Sequence, residues 1–367
     1  MLQKVDMAIK QKDSQHIDFL NKEDFDVETM LSVLRNHEYT GDVPFKDFAD
    51  EIMSIVSNQE IQWLRRNKPE NVVDYLVYRY KFKKYPSMRK LEKFPLHLLI
   101  EPTSICNLRC IMCFQSDSSF HTSEYMGMID FGFFRELVDQ AVENNCKAMT
   151  LASRGEPTLH KNFGDMLSYC KDKFFELKIN TNATVLTEDM CYEILDTGVD
   201  IVVFSIDSCC REEYERIRKG GRFEQVVENI GRFSRIREAY PEYRKTATRI
   251  SGVYFMSSQS KEKFLNFWSG LVDAVVYNDA VPRWDSYNNT PLSYDKLCSL
   301  LWERMYVWYD GTCNPCDFDY KSKLKVGDAK KTLLKDIWLG EPYSKYRNMF
   351  LHGKREYLTP CNKCNIY

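Results

Sequence analysis

The sequence predicts an α/β protein: a partial (β/α)6 TIM-like barrel with a helical N-terminal extension and a small irregular C-terminal domain stapled by metal. Three observations predict it. Apolar residues recur at three- and four-residue spacing in the first 94 residues. Between residues 95 and 290, short apolar runs alternate with helical stretches. Beyond residue 291 the alternation stops, and a tail rich in Cys, Tyr and Trp follows.

The helical segments of the extension are 27–35, 45–57 and 72–80, which read as a cap on the main domain or as an element that recruits substrate or partner. From Pro95 the pattern gives strands at 96–101, 147–152, 177–182, 201–207, 246–255 and 272–277. Helices fall between them at 131–145, 163–171, 188–197 and 261–271, with a long helical region at 211–239. Within that region Phe223, Val226, Val227, Ile230, Phe233 and Ile236 make an apolar stripe of helical period, which is core packing. Strands in such repeats end at one face, and chemistry gathers in the loops there. The tail carries Asp-Gly, Asn-Pro and Gly-Asp turn signals, and so short an irregular segment has little core of its own.

Composition narrows the function classes. The chain of 367 residues has 44% apolar and 28% charged residues, an ordinary globular balance. With 51 basic and 53 acidic residues the net charge is −2, which argues against a broad footprint for nucleic acid or anionic lipid. The N-terminal residues lack an apolar h-region, and no stretch approaches the run of about 18 apolar residues that a membrane span needs. A cytoplasmic location is expected, where clustered thiols bind metal more often than they pair. Eight of the 13 cysteines fall in two regions, 106–113 and 298–364.

Cys106, Cys110 and Cys113 lie in one loop directly after the first barrel strand. Iron–sulfur clusters usually take four cysteines, so a three-cysteine loop implies an iron with an open coordination site. This loop resembles the CxxxCxφC signature of the radical S-adenosylmethionine (SAM) superfamily, with Met112 at the φ position. The resemblance implies a [4Fe–4S] cluster that chelates SAM and reductively cleaves it to a 5′-deoxyadenosyl radical. Ser153-Arg154-Gly155-Glu156-Pro157 after the second strand resembles the family's GGE motif, with Arg154 replacing the first glycine. Gly155 and Glu156 are thereby expected at the SAM ammonium, through a charge-assisted hydrogen bond; a turn leading into a helix is the other reading. Thr181, Asn182, Ser205 and Asp207, at the ends of strands three and four, resemble the family's ribose- and carboxylate-binding positions, with Ala183 where glycine is more usual. The segment 214–221 resembles the family's helix after strand four, as scaffold.

In the tail, Cys298, Cys316, Cys361 and Cys364 resemble the ligand set of a SPASM/twitch-type auxiliary [4Fe–4S] cluster, leaving Cys313 spare. The spacing itself also permits a zinc ribbon pairing Cys313 and Cys316 with Cys361 and Cys364. The parts expected are 1–94 helical extension, 95–290 radical SAM partial barrel and 291–367 auxiliary-cluster domain.

Cys146, Cys170 and Cys191 read as core thiols. Cys209 and Cys210, just past Asp207, form a turn into a helix or donate a hydrogen atom to a substrate radical. Arg249 is a candidate for an anionic group of SAM or substrate, against a structural ion pair. The loop 278–289, with Asp279, Arg283, Trp284, Asp285 and Tyr287, is either a solvated loop or the wall of a polar pocket. The resemblance implies an oxidoreductase that abstracts a hydrogen atom from a small sugar-like or nucleotide-sugar substrate, for dehydrogenation or epimerisation. It also implies a flavodoxin- or ferredoxin-type reductant. Modification of a peptide or protein residue is the other reading within the family; a non-catalytic iron–sulfur or zinc-stapled binding protein is the reading outside it.

Overall fold

The computed structural model describes residues 71–280, 283–291 and 297–364, together with 16–18 and positions 57, 60, 61, 63 and 64. The expected helices at 27–35 and 45–57 lie outside these residues, apart from Ser57. Six parallel strands form the centre of the sheet: β2 (His97–Ile100), β4 (Ala148–Leu151), β5 (Glu176–Thr181), β6 (Ile201–Ser205), β8 (Ala247–Tyr254) and β9 (Ala274–Asp279). They stand in sequential order, as a wound βα barrel requires, and the described sheet stays open. The helices between them are α2 (Phe131–Glu143), α3 (Phe163–Cys170), α4 (Glu188–Asp196), α5 (Arg211–Ile217), α6 (Phe223–Ala239) and α7 (Lys261–Trp268).

Alternation along each strand explains both layers. Leu98 and Ile100, Leu177 and Ile179, and Val202 and Phe204 point outward and are buried against the helices. Each such side chain contributes about 1.5–3 kcal/mol on burial. The alternate positions point into the barrel.

Three features depart from the sequence reading. The stretch 211–239 is two helices, α5 and α6, broken by the two-residue strand β7 (Arg218–Lys219) and a turn at Gly220 with φ of 95°. Positive φ there suits glycine, which lacks a Cβ. In the extension, β1 (His16–Asp18) pairs antiparallel with the barrel edge β9; three residues are too few to show a strand period. In the tail, a short helix α8 (Leu300–Glu303) leads into β10 (Arg304–Val307), which adds to the sheet parallel to β2. Then β11 (Thr312–Asn314) and β12 (Gly327–Asp328) continue it antiparallel. The alternation therefore does not stop at residue 291: the tail shares the barrel's sheet, through a pairing some 200 residues distant in sequence. Helices α9 (Leu334–Leu339) and α10 (Glu341–Leu351) pack behind these strands.

Helix α1 (Val72–Met88) closes the end of the barrel where the strands start. Its Tyr75 and Leu76 pack with Leu96 and Ala148, and Tyr75 donates to Glu176 at 3.0 Å. Arg79 is buried between Glu60 at 2.6 Å and Glu176 at 3.3 Å.

Candidate functional site

The three-cysteine loop is held from both sides. Thr103 donates to the Gly127 carbonyl at 2.8 Å and accepts from Ile105 N–H at 3.0 Å. Residues Arg109–Cys110 form β3, which pairs antiparallel with β7, so Cys110 stands opposite Arg218. A turn from Cys113 N–H to the Cys110 carbonyl at 3.0 Å folds the third cysteine back. Cys110 is buried, Cys106 and Cys113 are half-buried, and Met112 lies half-buried between them. Burial pushes the thiols of Cys106 and Cys113 up to about 12, and the nearby Cys110 raises both further. Cys110 is also raised, by burial, against the opposing Arg218. Thiols so raised are poor thiolates alone; a bound cation stabilises the deprotonated form. Three thiols close together in one loop have the donor chemistry for a cluster with one iron left without a protein ligand.

The second strand-end loop packs directly on the first. A Cβ added at Gly155 would lie 2.4 Å from the Thr103 carbonyl and 2.5 Å from that of Ile105. Gly155 thus serves the contact between loops, and Glu156 N–H bonds to the Ile105 carbonyl at 2.9 Å. The Glu156 side chain is 3% exposed. Its Oε1 accepts from the hydroxyls of Thr158 at 2.6 Å and Thr181 at 2.7 Å, and its Oε2 accepts from Asn182 N–H at 2.6 Å. Burial raises its pKa and these bonds oppose the rise. Of the two sequence readings the structure shows the turn, with Glu156 capping the 3₁₀ helix at Pro157–Leu159.

Asn182 reaches toward Cys106 Sγ at 3.9 Å and bonds Asn107 at 3.0 Å, so the third strand end touches the cysteine loop. Ala183 has φ of 60°, the left-handed region that costs a non-glycine residue about 1–2 kcal/mol. Asn229 of α6 holds that turn by donating to the Ala183 carbonyl at 2.8 Å.

Asp207 is buried and already engaged. Arg218 pairs with it at 2.7 Å, and it accepts from Val253 N–H at 2.9 Å. Ser205 and Arg249 lie half-buried on the inner face, level with Ser251 and Val203 respectively.

Cys209 packs against the core between sheet and helices, and Cys210 is solvent-exposed ahead of α5. Of their two readings the structure shows the turn, because Ser208 accepts from Cys210 N–H at 3.1 Å and donates to Glu213 at 2.7 Å. In the loop 278–289, Arg283 is ion-paired with Asp317 and Tyr287 donates to Asp319 at 2.6 Å. The Trp284 side chain lies outside the described residues.

In the tail, Cys298, Cys316 and Cys361 line a small pocket with Leu301, Leu358 and Phe350. Burial pushes the Cys298 thiol up to about 12, and Cys364 raises it further. Cys316 and Cys361 are raised well above the usual thiol value, by burial first and then by the other cysteines. Arg355 bonds the Cys361 carbonyl at 2.7 Å and the Cys364 carbonyl, fixing the closing CxxC. Cys313 is apart: it is fully buried on β11, with its sulfur 3.7 Å from the Gly311 carbonyl and its electrostatic neighbours Asp328, Lys325 and Asp310. The set brought together is thus Cys298, Cys316, Cys361 and Cys364, and its donor chemistry fits an iron–sulfur cluster.

Sequence reasoning missed Glu101 and the role of Arg154. Arg154, 3% exposed, clamps Glu101 with two bonds of 2.6 and 2.7 Å and donates to the Tyr320 carbonyl at 2.9 Å. Its guanidinium also stacks 4.3 Å from the Trp308 ring. The residue that departs from the motif therefore pins the tail onto the barrel mouth. The available signal was a Glu at the end of a strand and an Arg at the next strand end.

A barrel of parallel strands with a three-cysteine loop at its mouth, and a four-cysteine tail beside it, defines an iron–sulfur radical enzyme. Family models agree: "Radical SAM superfamily" matches residues 100–253, and the SPASM "Iron-sulfur cluster-binding domain" matches 298–365. The chain is 40% identical over 319 residues to the tungsten-containing aldehyde ferredoxin oxidoreductase cofactor-modifying protein of Pyrococcus furiosus, covering 74% of this chain and 87% of that protein. Among solved structures, it resembles BtrN in complex with AdoMet and 2-DOIA, with TM-score 0.53, 20% identity, and 75% and 94% of the two chains covered. Native anSMEcpe with bound AdoMet and a Cp18Cys peptide gives TM-score 0.54 at 16% identity, covering 73% and 87%. The chain belongs to the radical SAM superfamily and carries a SPASM domain. Its cofactors are SAM and [4Fe–4S] clusters. Among the described residues no helix is long and apolar enough to cross a membrane.

Proposed function

We propose that this chain cleaves SAM at a cluster held by Cys106, Cys110 and Cys113, and acts as an oxidoreductase on a small polar molecule inside the barrel. The observation that carries the reading is the meeting of the three-cysteine loop, the Glu156 carboxylate and the Asn182 side chain at the mouth of a barrel with a polar inner face. Glu156 Oε2 accepts one bond from Asn182 N–H and keeps a lone pair for the SAM ammonium. Thr181 and Asn182 orient that carboxylate. Asp207, neutralised by Arg218, holds the fourth strand end in place beside Ser205. Met112 and Gly155 shape the loops around SAM.

When bound, the loop cluster supplies the electron that breaks SAM, and an auxiliary cluster on Cys298, Cys316, Cys361 and Cys364 gives the electron left on the substrate a place to go. Oxidation is favoured over epimerisation because Cys209 packs against the core and Cys210 N–H is held by Ser208 in the turn ahead of α5. A small substrate is favoured over a peptide by the relative in Pyrococcus furiosus, whose name describes modification of a cofactor. The reductant is of the flavodoxin or ferredoxin type, in the cytoplasm.

The test is anaerobic protein given SAM and dithionite and assayed for 5′-deoxyadenosine. Replacing Cys106, Cys110 and Cys113 together with Ala is expected to abolish the product while the tail keeps its iron. A triple variant that still cleaves SAM overturns the reading.

A further inference from the structure

Inner strands of a filled barrel have no accessible positions on either face. Here the inner face is different. On β5, Lys178 and Asn180 keep partial exposure while Leu177 and Ile179 have almost none. On β8, Ala247, Arg249, Ser251 and Val253 do the same between buried neighbours. Both strands lie inside the sheet, so their exposed sides border a hollow within the barrel.

The charges around that hollow do not balance. Three of its carboxylates each have an arginine, Glu101 with Arg154, Glu176 with Arg79 and Asp207 with Arg218, while Glu156 at the mouth accepts from Thr158, Thr181 and Asn182. His97, on the β2 side, bonds Thr150 at 2.8 Å and is kept neutral by burial and by Arg304. Lys178 stands opposite Thr150, and it makes no ion pair or hydrogen bond among the described residues. Burial pushes its ammonium down to about 7, and Arg249 and Arg304 push it the same way. A lysine in such a place is costly for the empty protein. A ligand that brings negative charge removes that cost.

We infer that the barrel holds a substrate bearing an anionic group, phosphate or carboxylate, seated on Lys178 of β5 with Arg249 of β8 beside it. Lys178 lies four residues below Asn182 on its strand, a rise of roughly 13 Å. An anion bound there leaves the rest of the molecule extending up toward the three-cysteine loop. Lys178 is then a specificity-determining residue that rejects neutral polyols and amines. The inference rests on the barrel being the reaction chamber proposed above.

The test uses anaerobic holoprotein saturated with SAM and titrated calorimetrically with inorganic pyrophosphate, citrate and, as the neutral arm, myo-inositol. Pyrophosphate or citrate is expected to bind saturably at one site and myo-inositol not at all. The stronger anion identifies phosphate or carboxylate as the group served. Lys178→Met is expected to weaken that binding about 10- to 100-fold, the size of one charge-assisted bond, while Lys178→Arg restores most of it. Iron content of each variant reports whether it is folded. The inference is overturned if neither anion binds the wild type, if Lys178→Met binds as well as wild type, or if that variant loses affinity for SAM instead. Failure of wild-type protein to form 5′-deoxyadenosine would strike the functional reading itself, and is scored separately.

Discussion

Replacing Cys298 and Cys313 one at a time separates an auxiliary cluster from a zinc ribbon. Cys298 shares a cavity with Cys316 and Cys361, and its charge environment includes Cys364. Losing one of four thiolates from a closed site strips or degrades the metal. With one cluster at the loop and one in the tail, Cys298→Ala is expected to lose up to about half of the iron. The disorder that follows stays near residues 350–364, because β10 remains paired with β2 and Arg154 still grips the Tyr320 carbonyl. Cys313 faces no other cysteine and sits fully buried on β11. Deleting its sulfur leaves a small void costing about 1–2 kcal/mol, by comparison with other small deletions in packed cores, and the iron stays. Anaerobic iron, sulfide and zinc analysis reads both outcomes. Full iron in Cys298→Ala, or zinc in the wild type that is lost only with Cys313, refutes the assignment and removes the proposed electron acceptor.

Further expectations follow from buried polar groups. Glu156→Gln puts an amide N–H against donors from Thr158, Thr181 or Asn182, so it is expected to cost about 1–3 kcal/mol of stability and weaken SAM roughly 10- to 100-fold. Unchanged SAM affinity in a folded variant assigns Glu156 to the turn alone. Arg154→Met strands the fully buried Glu101 and is expected to destabilise by about 3–5 kcal/mol in urea unfolding; adding Glu101→Leu should recover much of that loss. Burial holds the Asp200 carboxyl up to about 8, far above its unfolded value. Between about pH 4 and 8 the unfolded chain therefore loses a proton that the folded chain keeps, and this group's stabilisation falls as pH rises. Asp200→Asn should flatten that part of the stability profile, and an unchanged slope between pH 5 and 8 refutes the assignment.

Local chemistry made the core of this protein legible from its residues. The βα alternation is a pattern of neighbours, so the six parallel strands and their order followed from apolar period alone. The three-cysteine loop is contiguous, and its place after a strand could be read directly. What needed the tertiary structure was every feature made by residues distant in the chain. Spacing left Cys298 and Cys313 open as alternatives, and only packing turned one toward the other thiols and the other into the core of the tail. The strand β10 was hidden because its partner β2 lies some 200 residues earlier, and β1 because three residues carry no period. Arg154 read as a defect in a motif until Glu101 and Tyr320 were seen to surround it. Lys178 drew no notice within its strand, since a sequence states which side chains alternate but not which face encloses a hollow. Burial and charge balance are sums over the whole neighbourhood of a group, and the fold alone assembles that neighbourhood.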